Sequence, residues 1–177
     1  TTNHNDGQLT DFWDPTQAWV AGRVGGALKF DGFGSRVIVP HSDSLALGSD
    51  ASFAFWINPE TYGTVLVDPN FNYQQGFLVR KPGQYEAFVT DNPGNVRATV
   101  VASGANAPQN SLTTNKWQHF AAVFQAGTVQ FYTNGFPAGL PLNGSLGASV
   151  ATNLVIGNYA EDLTAPRLYQ GLIDELG

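Results

Sequence analysis

The chain has 177 residues, enough for one domain with a sizeable core, and it contains no cysteine, which excludes disulfides and thiolate metal sites. Lysine and arginine total 8 against 14 aspartates and glutamates, and the resulting net charge of −6 argues against a nucleic-acid surface. Only 12% of residues are charged, while 42% are hydrophobic without any apolar run approaching ~18 residues, which excludes both disorder and a membrane-spanning helix.

Helix-favouring Glu, Lys, Arg and Met are scarce, 20 Gly and 10 Pro are spread throughout, and no stretch keeps a 3.6-residue apolar period for three turns. Short runs of aromatic and β-branched residues bounded by turn signals recur instead. In chain order they predict strands at 27–30, 36–39, 52–58, 64–67, 76–80, 85–90, 96–102, 117–125, 128–133, 154–157 and 170–175. In TVQFYTNGFPAG, Asn134-Gly135 supplies the two positive-φ residues of a type I′ hairpin. ASFAFWIN and WQHFAAVFQ are apolar on both faces, as strands in the middle of a sheet are. The expectation is an all-β, two-sheet antiparallel sandwich forming a single domain over 1–177. Its amino terminus, TTNHNDGQLT, lacks the basic and apolar regions of a signal peptide. The composition, rich in Asn, Thr and Gly and free of Cys and Met, suits an extracellular or cell-surface location.

Several blocks resemble the laminin G-like, concanavalin A-like jelly rolls of bacterial extracellular proteins. HNDGQLTDFWDPTQAWVAGRVGGALKFDGFGSRVIVP is similar to that family's glycine-rich opening and GxALxFDG element. SFAFWINPET resembles its FW strand, NKWQHFAAVFQAGTVQFYTNG its W-x-H strand and hairpin, and LVIGNYA with YQGLIDELG its closing IG and GxIDE elements. The resemblance implies a jelly roll from about Asn3 to Gly177. Members carry a strand before the glycine-rich opening and another after IDE. Neither is evident here, and their joint absence predicts an open edge or groove: either the sequence is trimmed, or a partner supplies a strand.

Glucanases of this fold carry an E-x-D-x-x-E strand, which sets carboxylates on one face for nucleophile and acid work. No such pattern occurs, Glu161-Asp162 and Asp174-Glu175 are adjacent and point opposite ways in a strand, and His4, His41 and His119 have no triad or metal spacing. The reading is therefore non-catalytic, with His119 a packed or hydrogen-bonded imidazole. The resemblance implies a structural calcium between the FDG turn and the IDE strand, nominating Asp31, Gly32 and Asp174. The plainer reading makes Asp31 a turn residue and Asp174 a solvated or edge-blocking charge. Asp6, Asp11 and Asp14 read as loop Asx-turns.

Sugar binding needs exposed aromatic faces together with amides and carboxylates for hydroxyls. The turn-rich segment ETYGTVLVDPNFNYQQG offers Tyr62, Asp68, Asn70, Phe71, Asn72, Tyr73 and Gln74, with Tyr85, Arg97, Asn158, Tyr159 and Tyr169 able to join them across a sheet. Trp56 and Trp117 read as core, whereas Trp13 and Trp19 lie in the loop-like opening. These residues predict a binding module for a polysaccharide or other glycan. The alternative is a structural or adhesion subunit of an extracellular assembly that pairs strands with neighbouring protein subunits.

Overall fold

The structure is a computed structural model and describes residues 5–62, 74–91, 99–163 and 167–177. In chain order its strands are β1 (Gln8–Thr10), β2 (Trp19–Ala21), β3 (Gly26–Asp31), β4 (Arg36–Val39), β5 (Ala51–Pro59), β6 (Gln74–Lys81) and β7 (Tyr85–Asp91). There follow β8 (Thr99–Ala102), β9 (Ala105–Asn106), β10 (Gln118–Gln125), β11 (Thr128–Thr133), β12 (Phe136–Asn143), β13 (Leu154–Ile156) and β14 (Gln170–Asp174). They form two antiparallel sheets, a first in the order β1-β4-β13-β6-β7-β8-β9 and a second in the order β12-β11-β10-β5-β14-β3-β2. No α-helix occurs among the described residues, only two single 3₁₀ turns at Pro15–Gln17 and Asp43–Leu45.

Alternation along each strand sends one set of side chains between the sheets. Phe53, Phe55 and Ile57 of β5 and Phe120 and Phe124 of β10 meet Leu78, Val79, Tyr85 and Val89 of the first sheet in one buried core. Phe53 and Tyr85 bridge the layers with ring centroids 5.2 Å apart. Each such side chain contributes roughly 1.5–3 kcal/mol on leaving water. The two strands apolar on both faces, β5 and β10, pair with one another inside the second sheet. Asn134 and Gly135 both take positive φ, 51° and 84°, closing the two-residue β11–β12 hairpin.

Some elements depart from expectation. Strands β1, β2 and β9 span only two or three residues, too short to show a period. The predicted strand 64–67 lies outside the described residues. Trp56, expected in the core, sits on the outer face of the second sheet, 5.2 Å from the ring of His119 and with the Arg23 guanidinium 5.1 Å from its centroid. Trp117 is likewise half-buried and absent from the core. The backbone continuing from β14 stays inside the sheet, where Gly177 and Ala54 exchange N–H···O bonds of 2.9 and 2.8 Å. The apolar edge is β12, whose Phe136 is 75% exposed and Leu140 84% exposed.

Candidate functional site

The site is built on the outer face of the first sheet. In β13, Leu154 and Ile156 join the core, so Val155 between them must point outward, yet it is fully buried. The chain after β13 folds back to cover it, held by two arginines from the flanking strands. Arg36 of β4 donates through Nε to the Glu161 carbonyl and through Nη1 to Asp11 Oδ2 at 2.7 Å and to the Gly34 carbonyl at 2.9 Å. Arg80 of β6 donates through Nη1 to the Tyr159 carbonyl at 2.9 Å and through Nε to Glu86 Oε2 at 3.2 Å.

Asn158, wholly buried, organises the covering loop. Its Oδ1 accepts the backbone N–H of Tyr159 at 2.7 Å and of Arg167 at 3.0 Å, and its Nδ2 donates to the carbonyls of Ala160 and Asp162 at 2.9 and 3.0 Å. This fixes Tyr159 between two cations. The Arg80 guanidinium lies 3.8 Å and that of Arg167 4.8 Å from the Tyr159 ring centroid. Below it Phe77 and Phe88 stack at 4.7 Å, and the Tyr159 ring meets Phe77 edge-on at 5.1 Å.

A β-bulge makes this shelf. The β6–β7 register shifts between Phe77 and Val79, so Leu78 and Val79 both face the core while Phe77 and Arg80 face outward. Arg167 also donates through Nη1 to Gln75 Oε1 at 2.7 Å, and its carbonyl accepts the Phe77 N–H at 3.2 Å. The result is an aromatic cluster, buried Phe77 and Phe88 capped by half-buried Tyr159, ringed by guanidinium donors, an amide and the Glu86 carboxylate, polar groups able to hydrogen-bond a hydroxyl-rich ligand.

Of the residues predicted for sugar binding, Asp68, Asn70, Phe71, Asn72 and Tyr73 lie outside the described residues, as does Arg97. Gln74 opens β6 opposite Asp91, beside the Gln75 that holds Arg167. Tyr62 packs against the core instead. Tyr85 and Tyr169 also point inward: their hydroxyls donate to the carbonyls of Leu45 and Leu172, each at 3.1 Å. Burial pushes the Tyr85 phenol up to about 12, and burial followed by the nearby Glu60 charge raises that of Tyr169 well above its ordinary value. Asn158 and Tyr159 do belong to the shelf. Gln75 lies near the end of the turn-rich segment nominated for sugar binding, whereas Arg80, Arg167, Phe77 and Phe88 were not singled out in the sequence, where the run QGFLVRK shows no alternation to reveal which side chains face outward.

The nominated calcium ligands do not come together. Gln170 is the partner of Asp31, so Asp174, further along β14, lies roughly 13 Å away at ~3.3 Å per residue. Asp31 Oδ1 is occupied by its own turn, accepting Phe33 N–H at 2.8 Å, Gly34 and Ser35 N–H at 3.2 Å and the Ser35 hydroxyl at 2.7 Å. Burial alone would raise this carboxyl, but those hydrogen bonds hold it below its ordinary value. Gly32 lies in the same turn against Gln170. Asp174, neither solvated nor on an edge, is buried and accepts the Val24 N–H at 2.9 Å. The three residues therefore do not fit one shared ion. Among the described residues, no group of three or more His, Cys, Asp and Glu is placed to hold a metal ion. No helix among them is long and apolar enough to cross a membrane.

Comparison with known proteins agrees with this architecture. Domain 4 of AbnA, a GH43 extracellular arabinanase from Geobacillus stearothermophilus solved with arabinotriose, superposes with a TM-score of 0.65 at 20% identity, over 96% of this chain and 80% of that one. Domains LG4-5 of the mouse laminin alpha1 chain give 0.58 at 15% identity, over 85% of this chain and only 40% of the laminin fragment. The alginate lyase AlgAT5 of polysaccharide lyase family 7 gives 0.50 at 12% identity, over 98% and 93% of the two chains. At such identities these likenesses concern the fold alone. No curated protein sequence matches the chain significantly. The family model described as the concanavalin A-like lectin/glucanases superfamily, in its laminin G-like form, matches residues 30–177, and the chain belongs to that family.

Proposed function

We propose that the chain is a non-catalytic carbohydrate-binding module that works outside the cell or at its surface. The observation that carries this reading is the Tyr159 shelf, a half-buried ring held by Arg80 and Arg167 above stacked Phe77 and Phe88, with guanidinium, amide and carboxylate groups around it. Supporting it, the arabinanase domain of similar fold was solved with an arabinose trisaccharide. Glu86, a carboxylate of the shelf, is tied to Arg80, an arrangement suited to orienting a hydroxyl rather than to paired acid and nucleophile chemistry. The test is a polysaccharide and glycan array, run with calcium and repeated with a chelator, on the parent and on Tyr159→Ala and Arg167→Ala. We expect saturable binding that both substitutions abolish while the circular dichroism spectrum is kept. Unchanged binding by both variants would refute the assignment.

A second reading, a structural or adhesion subunit, is favoured by the apolar free edge of β12. Its two prolines, Pro137 and Pro141, leave no N–H at those positions, so a partner strand would pair only intermittently. A stable oligomer by light scattering that Leu140→Lys dissociates would support this reading, and a monomer at all concentrations would exclude it.

A further inference from the structure

The segment between β1 and β2 crosses the side of the sandwich. Phe12 turns inward onto Phe30, with centroids 5.7 Å apart, and Trp13 beside it projects outward, 98% exposed. The segment is braced at several points. Asp11 is paired with the buried Arg36, while Asp14 Oδ1 accepts the Thr16 N–H at 2.9 Å and its hydroxyl at 2.6 Å, and Oδ2 accepts Gln17 Nε2 at 3.0 Å. At its far end the Ala18 carbonyl accepts the Lys29 N–H at 2.8 Å. A whole indole held in water by a braced loop forgoes about 25 cal/mol for every Å² it could have buried.

Beside Trp13 lies a cavity of about 210 Å³ lined by Phe12, Trp13, Asp14, Gln17, Lys29 and Asp31. It is smaller than the ~300–1,000 Å³ pockets that enclose drug-sized ligands, and suits one sugar ring. Its walls combine an aromatic face with two carboxylates, an amide and an ammonium. Asp31 is fixed by its turn, and Lys29 Nζ stands 3.8 Å from Glu60. The lining carries two carboxylates, Asp14 and Asp31, against one ammonium that is already paired with Glu60, which disfavours an anionic ligand, whereas hydroxyl groups are served by both kinds of group. Phe33, 85% exposed, stands on the turn that Asp31 closes.

We propose that this cavity is a second glycan site, which takes a single ring of a neutral sugar stacked on Trp13 and held by Asp31, Lys29 and Gln17. It lies on the outer side of the second sheet and does not depend on the Tyr159 shelf of the first. The test uses the four tryptophans as reporters. Protein labelled with 5-fluorotryptophan is titrated with arabinotriose, xylotriose, cellotriose, mannotriose and galactotriose, the Trp13 resonance being assigned from Trp13→Phe. We expect at least one sugar to shift the Trp13 signal saturably while Trp19, 60% exposed, stays still. Trp13→Ala should weaken that sugar about tenfold, and Trp13→Phe less. A Trp13 signal silent to all five sugars overturns the proposal, and so does equal movement of Trp19, which would mean indiscriminate stacking. Tyr159→Ala must leave the Trp13 response intact, since its loss would make the two places one site. Loss of polysaccharide binding in Tyr159→Ala with Trp13 silent would keep the first site and remove this one.

Discussion

Asn158 and Arg167, nine residues apart, are joined by a 3.0 Å hydrogen bond from the Arg167 backbone N–H to the Asn158 carboxamide oxygen. That bond closes the loop over Val155 and sets the backbone from which Arg167 reaches the Tyr159 ring. Because the amide is fully buried and makes four hydrogen bonds, its removal leaves two N–H groups and two carbonyls unmatched. We expect Asn158→Ala to lower stability by about 2–4 kcal/mol in urea unfolding, and to lose glycan binding before it loses the fold. A change below about 0.5 kcal/mol would show that the loop does not depend on this residue.

Gly157, just ahead of it, adopts φ +86°, and a Cβ there would sit 2.3 Å from two ring carbons of Phe30. Phe30 is completely buried and cannot move aside without opening the core. We expect Gly157→Ala to cost about 3–5 kcal/mol, from the combined clash and left-handed backbone, measured as a lowered urea midpoint with unchanged slope.

Asp31 and Tyr85 make stability depend on pH in opposite senses. The folded Asp31 carboxyl titrates below its ordinary 3.8, so its stabilising contribution is present above that value and is lost as pH falls through the lower folded one. The stability gap between parent and Asp31→Ala should therefore narrow as pH is lowered below 3.8. Tyr85 has the opposite sense. Its phenol, ordinarily 10.0, is raised to about 12, so the unfolded chain ionises first and stability falls between those two values. Tyr85→Phe should lose about 1 kcal/mol at pH 7 with its hydrogen bond to Leu45, yet show a shallower alkaline decline.

Calcium removal should matter little. With Asp31 and Asp174 at different ends of the β3–β14 pair, and each carboxylate serving backbone N–H groups, no ion is needed to neutralise them. We expect EDTA to shift the melting temperature by less than about 1 °C. A large drop, restored by calcium, would show that this chain binds the ion by another set of oxygens.

How far the site could be read in advance differs from residue to residue. Asn158 and Tyr159 were legible because an amide and an aromatic in a turn are the right chemistry in the right kind of segment. Arg80 was not, because β6 breaks its own alternation at Leu78, and the bulge responsible is visible only against β7. Trp56 misled for a related reason: in a central strand an apolar residue on the second face looks like core, although here its ring meets the Arg23 guanidinium and the His119 ring on the outer face of the sheet.

What the sequence determined by itself was local and periodic. The two-faced apolar runs of β5 and β10, the Asn134-Gly135 turn and the shortage of helix formers together point to an all-β chain with those strands central, because each depends only on near neighbours. The tertiary structure alone decided which outward side chains meet. Register put Asp31 and Asp174 far apart, a bulge turned Phe77 and Arg80 to one face, and a returning loop laid Tyr159 over them. Those outcomes depend on pairings between strands distant in the chain, where one residue of slip moves a side chain to the other face of the sheet.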